Sequence, residues 1–249
     1  MARLAWVLLH ASAQLVVRRP STRQARALWL HRLCRRAVKI FGVEVRSSGW
    51  FPQRGVLVSN HLSYLDIVVF ASLGPCVFVS KAEIMSWPLL GWMTTMAGTV
   101  YVERGRRGSA SLAGGGMQAA AKADLPVVFF PEGTTSNGEG ILKFHTGLLM
   151  EALADEQPVT AAYLQYSLTE GNGPCTVKDD VAYWGERPML PHIFRFLGLR
   201  AVVAEVTMAS VPIQFTAGAR KLVAAEARRA VCLLREGRLA KADSLERVG

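Results

Sequence analysis

From residue 43 onward, short apolar runs recur between stretches of helical periodicity, and this alternation limits the chain to few architectures. Runs at 43–46, 55–59, 76–80, 99–102, 126–130, 159–166 and 201–206 are too short for helices and read as strands. Helical patterning covers 63–72, 88–97, 109–123, 147–155, 190–197 and 217–235. Such alternation predicts an α/β fold, a mixed and largely parallel sheet flanked by helices. A length of 249 residues suits one domain of this kind, and a hydrophobic content of 51% gives it a core to bury. The expected domain spans 42–237. A polar tail, 238–249, is expected to fray.

Upstream the composition changes. The net charge is +10, and residues 1–43 hold nine Lys/Arg and no Asp or Glu, so the excess is concentrated there. A basic segment with apolar residues can face nucleic acid or an anionic membrane. The interleaved residues are Leu, Trp, Val and Ile, which suit lipid better than base stacking, so no nucleic-acid partner is expected. Residues 4–17 are apolar but interrupted by His10, Ser12 and Gln14, short of the ~20 residues a spanning helix needs. No small-residue cleavage site precedes Arg18, so an uncleaved interfacial helix is expected rather than a signal peptide. In 22–41, Leu30, Leu33, Cys34, Ala37, Ile40 and Phe41 fall on one helical side, opposite Arg32, Arg35, Arg36 and Lys39. That stripe can face lipid, or it can pack on the protein's own core. Residues 1–41 are read as an N-terminal amphipathic two-helix membrane-binding element, with an anionic membrane surface as partner. Cys34, Cys76, Cys175 and Cys232 are far apart and form no metal-ligand spacing, so no metal is expected. Reduced thiols fit the cytoplasmic face.

Three segments carry chemistry. In the first, Ser59-Asn60-His61-Leu62-Ser63-Tyr64-Leu65-Asp66 follows the apolar run Val56–Val58. His61 then sits at a strand exit and Asp66 in the first turn of a helix. A carboxylate on one ring nitrogen fixes the tautomer, leaving the other nitrogen to take a proton from an alcohol. The same residues also read as a capping box, Ser63-x-x-Asp66, with His61 an ordinary turn histidine. In the second, Phe130-Pro131-Glu132-Gly133-Thr134-Thr135-Ser136 leaves another strand. Gly133 permits a tight turn with exposed N–H groups, and Thr134 and Thr135 add hydroxyls, so the loop can hold an oxyanion or a phosphate. Glu132 is either an orienter of donors or a partner for a substrate hydroxyl. In the third, the strand 99–102 ends near Arg104, with Arg106 and Arg107 beyond. Arginine at a strand end suits phosphate recognition, and Lys81, past the strand 76–80, is a second phosphate candidate.

Together these segments resemble the glycerolipid acyltransferase family, whose motifs are N-H-x4-D (Asn60, His61, Asp66), a strand ending near arginine (98–104) and F-P-E-G-T (Phe130 to Thr134). Order and spacing agree over roughly 55–166. The resemblance implies a fatty-acyl group moved from acyl-CoA or acyl-carrier protein onto the free hydroxyl of lysophosphatidic acid, with no resident cofactor or metal. His61 and Asp66 would be catalytic, and Lys81, Arg104, Glu132, Gly133, Thr134 and Thr135 would bind substrate. Backbone donors near Gly133 or the His61 turn would hold the oxyanion. Two departures point elsewhere. Where many members have F-K-x-G, this chain has Phe144-His145-Thr146-Gly147, and its later proline, Pro158, is shifted. These forms, with Tyr183-Trp184-Gly185 and Pro191-His192, resemble members that acylate lyso-ornithine lipid or another lysophospholipid, which is the alternative acceptor. A non-catalytic membrane lipid-binding protein is a remote alternative.

Overall fold

The structure is a computed structural model that describes residues 6, 9–14, 17, 20–86, 90–103, 109–216 and 219–237. Its elements are α1 (Arg23–Ile40), β1 (Val43–Ser48), β2 (Val56–Ser59), α2 (Leu65–Leu73), β3 (Val77–Lys81), a 3-10 turn (Ala82–Ser86), α3 (Leu90–Met96), β4 (Val100–Val102), α4 (Ser109–Ala121), β5 (Val127–Phe129), α5 (Gly147–Ala154), β6 (Val159–Leu168), a π-helical turn (Val177–Val181), α6 (Met189–Leu197), β7 (Val202–Met208) and α7 (Arg220–Arg235). The seven strands form one sheet in the order β1–β7–β6–β2–β5–β3–β4. Every neighbouring pair is parallel except β6 with β7. The expected α/β fold with a mixed, largely parallel sheet is what the chain adopts.

Alternation along the strands explains the layers. Side chains of a strand point to opposite faces in turn. Val56 and Val58 enter one core with α4, α5 and α7, whereas Leu57 enters the other with α1, α2 and α6. All four residues of β2 are buried, as a central strand covered on both faces requires.

Helix α1 starts at Thr22, whose hydroxyl accepts the N–H of Ala25 at 3.1 Å. Its stripe takes the second of the two packings open to it. Leu33, Cys34 and Ala37 are buried, and Leu30, Ile40 and Phe41 pack at the margins against α2 and α3. The apolar side of 22–41 therefore faces the domain, and Arg32, Arg35, Arg36 and Lys39 form its exposed side. Residues 9–14 are helical and lie on α1, with Arg36 Nη1 2.6 Å from His10 Nε2. Among the described residues, no helix is long and apolar enough to cross a membrane. The tail 238–249 lies outside the described residues. The four cysteines are unbridged, and burial lifts the Cys34 thiol to about 12.

The topology prepares a site. β2 and β5 are parallel neighbours, with Val58 opposite Phe129, so both leave the sheet at the same edge, side by side. A ligand in an open α/β sheet belongs at that carboxyl edge.

Candidate active site

Two residues past the end of β2, the chain turns so that His61 and Asp66 face one another. His61 Nδ1 lies 2.7 Å from Asp66 Oδ2. An ionised carboxylate only accepts, so the hydrogen sits on Nδ1 and Nε2 is left as the acceptor. No described residue bonds Nε2, and the His61 side chain is 17% exposed while that of Asp66 is fully buried. The Phe130 ring lies flat on the imidazole, with centroids 4.0 Å apart and planes within 5°. The ring is thus held in plane by one neighbour and in rotation by the other, with one nitrogen open.

Asp66 is the most heavily bonded group in the region. Its Oδ2 also accepts the N–H groups of Leu62 (2.6 Å) and Ser63 (3.0 Å), and its Oδ1 accepts the Tyr166 hydroxyl at 2.7 Å. Both oxygens of the buried carboxylate are thereby satisfied. The two readings of Ser63-x-x-Asp66 are therefore both half present. Asp66 takes the Ser63 N–H as a capping box would, but the Ser63 hydroxyl returns no bond and is buried without a partner among the described residues.

Glu132 resolves into an orienter of backbone. It is 2% exposed, Oε1 accepts the His61 N–H at 3.0 Å, and Oε2 accepts the Leu142 N–H at 3.0 Å. One side chain so ties the His61 turn to the loop after β5. Burial raises its carboxyl above the ordinary value, against the lowering pull of those two bonds. Ser136 N–H closes the same seam on the His61 carbonyl at 2.9 Å.

The expected oxyanion donors need one correction. Gly133 does adopt a left-handed φ of 66°, the turn its sequence suggested. Its N–H, however, is consumed by the Phe130 carbonyl at 2.9 Å. The N–H groups of His61, Leu62 and Ser63 are likewise bound to Glu132 or Asp66. Those of Thr134 and Thr135 meet no acceptor among the described residues. Thr134 is exposed and Thr135 half-buried.

Lys81 ends β3, two strands from β2 at the same edge, about 10 Å across the sheet. Arg104, with Arg106 and Arg107, lies outside the described residues, two positions past the end of β4.

Two features escaped a role in the sequence. Asn60 is buried, and its side chain clamps β6 by bonding both the N–H (2.8 Å) and the carbonyl (2.9 Å) of Leu164. Tyr166, on the same face of that strand, reaches Asp66. A tyrosine in an apolar strand whose hydroxyl needs a partner was the available signal. The segment beyond the π-helical turn buttresses the turn from outside. Tyr183 N–H bonds the Leu62 carbonyl at 2.8 Å, Tyr64 bonds His192 Nδ1 at 3.1 Å, and the three rings pack together.

Comparison with known proteins bears on the family and the fold. A family model described as Acyltransferase matches residues 42–164. A lyso-ornithine lipid O-acyltransferase of Pseudomonas aeruginosa is 34% identical over 215 residues, covering 84% of this chain and 78% of that one. A 1-acyl-sn-glycerol-3-phosphate acyltransferase of Neisseria gonorrhoeae is 37% identical over 126 residues, half of this chain and 49% of the other. The crystal structure of the 1-acyl-sn-glycerophosphate acyltransferase PlsC from Thermotoga maritima superposes with a TM-score of 0.63 at 18% identity, covering 93% of this chain and 95% of that one, and shares the fold.

Proposed function

Because the chain belongs to the acyltransferase family, we propose that it moves a fatty-acyl group from an acyl-CoA or acyl-carrier-protein thioester onto the free hydroxyl of lyso-ornithine lipid at a membrane surface. The observation that carries the chemistry is the imidazole of His61, fixed through Nδ1 on a buried carboxylate with Nε2 open. Nε2 takes the hydroxyl proton as the alcohol oxygen bonds to the thioester carbonyl carbon. The negative charge that develops on the carbonyl oxygen is met by the N–H groups of Thr134 and Thr135. When the intermediate collapses, the carbon–sulfur bond breaks and the imidazolium returns its proton to the departing sulfur. The products are an ester and a free thiol.

The acceptor is favoured by the Pseudomonas aeruginosa relative, whose similarity runs through most of both chains. His145, where many family members place a lysine or arginine, agrees with an acceptor that lacks a phosphate. Lysophosphatidic acid is the second reading, favoured by Lys81 at the reacting edge and by the Neisseria gonorrhoeae relative. The exposed basic side of α1 supports peripheral binding to anionic lipid on the cytoplasmic face. The acceptor is tested by offering both lysolipids, with labelled acyl-CoA and labelled acyl-carrier protein, to the purified full chain. Lyso-ornithine lipid should give the higher kcat/KM. A preference for lysophosphatidic acid promotes the second reading, and thioester hydrolysis without ester formation sinks both.

A further inference from the structure

Three of the four donors to Asp66 converge on Oδ2: the imidazole and the N–H groups of Leu62 and Ser63. Held at one oxygen only, the carboxylate could still swing about that point. The fourth donor is the Tyr166 hydroxyl on Oδ1. It comes from a strand that the same turn already grips, since the Asn60 side chain is bonded to Leu164 two residues earlier. Leu164 and Tyr166 are both buried in one core, so the clamp and the hydroxyl are set by a single strand in one register. We propose that Tyr166 is a positioning residue of the acyl-transfer reaction, holding the Asp66 carboxylate in the plane that orients His61.

The proposal rests on His61 being the base. Burial first, then the Asp66 charge, keep the Tyr166 phenol far above its ordinary value, so it remains a donor wherever the enzyme operates. The other titratable groups around the pair are Glu132, from the loop after β5, and Tyr64, at the start of α2; both are engaged elsewhere, with backbone N–H groups and with His192. Removing the hydroxyl leaves the carboxylate with three donors. The His61–Asp66 pair then binds its proton more tightly, and the ring loses a fixed orientation.

Tyr166→Phe keeps the ring and removes the bond. It should lower kcat about tenfold, part of the 10²–10⁴ that general-base assistance supplies, with KM changed less than twofold. The acid limb of the kcat/KM profile should move upward by about one pH unit, the worth of one hydrogen bond to a charged group. Site-specific 3,5-difluorotyrosine at 166, a near-isosteric and stronger donor, should move that limb downward, and it provides the test if Tyr166→Phe does not fold. Val206→Ala, a buried cavity on β7 beside Leu164, controls for loss of stability alone and should leave the limb in place. Wild-type kcat and pH profile in the fluorinated or Phe variant overturn the role of Tyr166. His61→Ala separates the two claims: if it retains full activity, the base assignment itself fails, whereas an inactive His61→Ala beside an unaltered Tyr166 variant removes only Tyr166.

Discussion

The turn after β2 and the far end of the same sheet edge are built by opposite rules. Around His61, each described backbone N–H from 61 to 63 has an acceptor, the carboxylate is fully buried, and partners come from α2, β6 and the loop after β5. At the other end Lys81 sits half-buried on the penultimate strand. The contrast is between a braced turn and a plain strand end. On the proposed function, proton transfer falls to the part held by buried hydrogen bonds. On the same proposal, acceptor recognition falls to the strand end at Lys81, which belongs to neither core.

The comparison breaks most visibly at His61. His61→Ala should lower transfer by about 10²–10⁴, measured as initial rate of labelled ester formation. Undiminished transfer would erase the distinction between the two ends. Next comes Glu132→Gln, which places a side-chain amide hydrogen against one of two backbone N–H groups. A buried unsatisfied donor costs about 1–3 kcal/mol, to be read from urea unfolding. The pH course has a definite sign. Because burial raises the Glu132 carboxyl, its contribution to stability is complete below the ordinary 4.5 and declines as pH rises through the folded-state value. The deficit of Glu132→Gln should therefore be largest in acid and shrink toward neutrality, and a deficit that grows with pH contradicts the burial argument. The smallest effect is expected at the other end. Lys81→Ala should raise KM for lysophosphatidic acid several-fold with kcat intact, and leave lyso-ornithine lipid turnover within twofold. A collapse of kcat there would mean that the selecting end also shapes the reacting one.

Local pattern made most of the elements legible. The apolar run at 159–166 is β6, and the run at 201–206 is β7, each extended to 168 and 208 where the two strands pair. That they pair antiparallel was not legible, since short apolar runs carry no direction. The His61–Asp66 contact was legible because spacing and a helix start place both residues in one turn. Tyr166 was not, because it meets Asp66 across 100 residues of sequence and no periodicity spans that distance. Gly133 shows the converse limit. Its backbone conformation could be read from residue type, but the fate of its N–H depended on where Phe130 put its carbonyl. The stripe on α1 was equally ambiguous, since an apolar side fits lipid or a neighbouring helix, and only the presence of α2 and α3 decided it.

The clamp between Asn60 and Leu164 spans 104 residues. Synthesis proceeds from the N-terminus, so a nascent chain that has already exposed the histidine, the aspartate and the glycine turn after β5 still lacks the strand that braces them. Ordering that turn early would carry the entropic cost of a loop not yet closed. Reactive geometry is thus acquired late, when β6 docks beside β2, and a prematurely terminated product would contain all the motif residues without their braced arrangement.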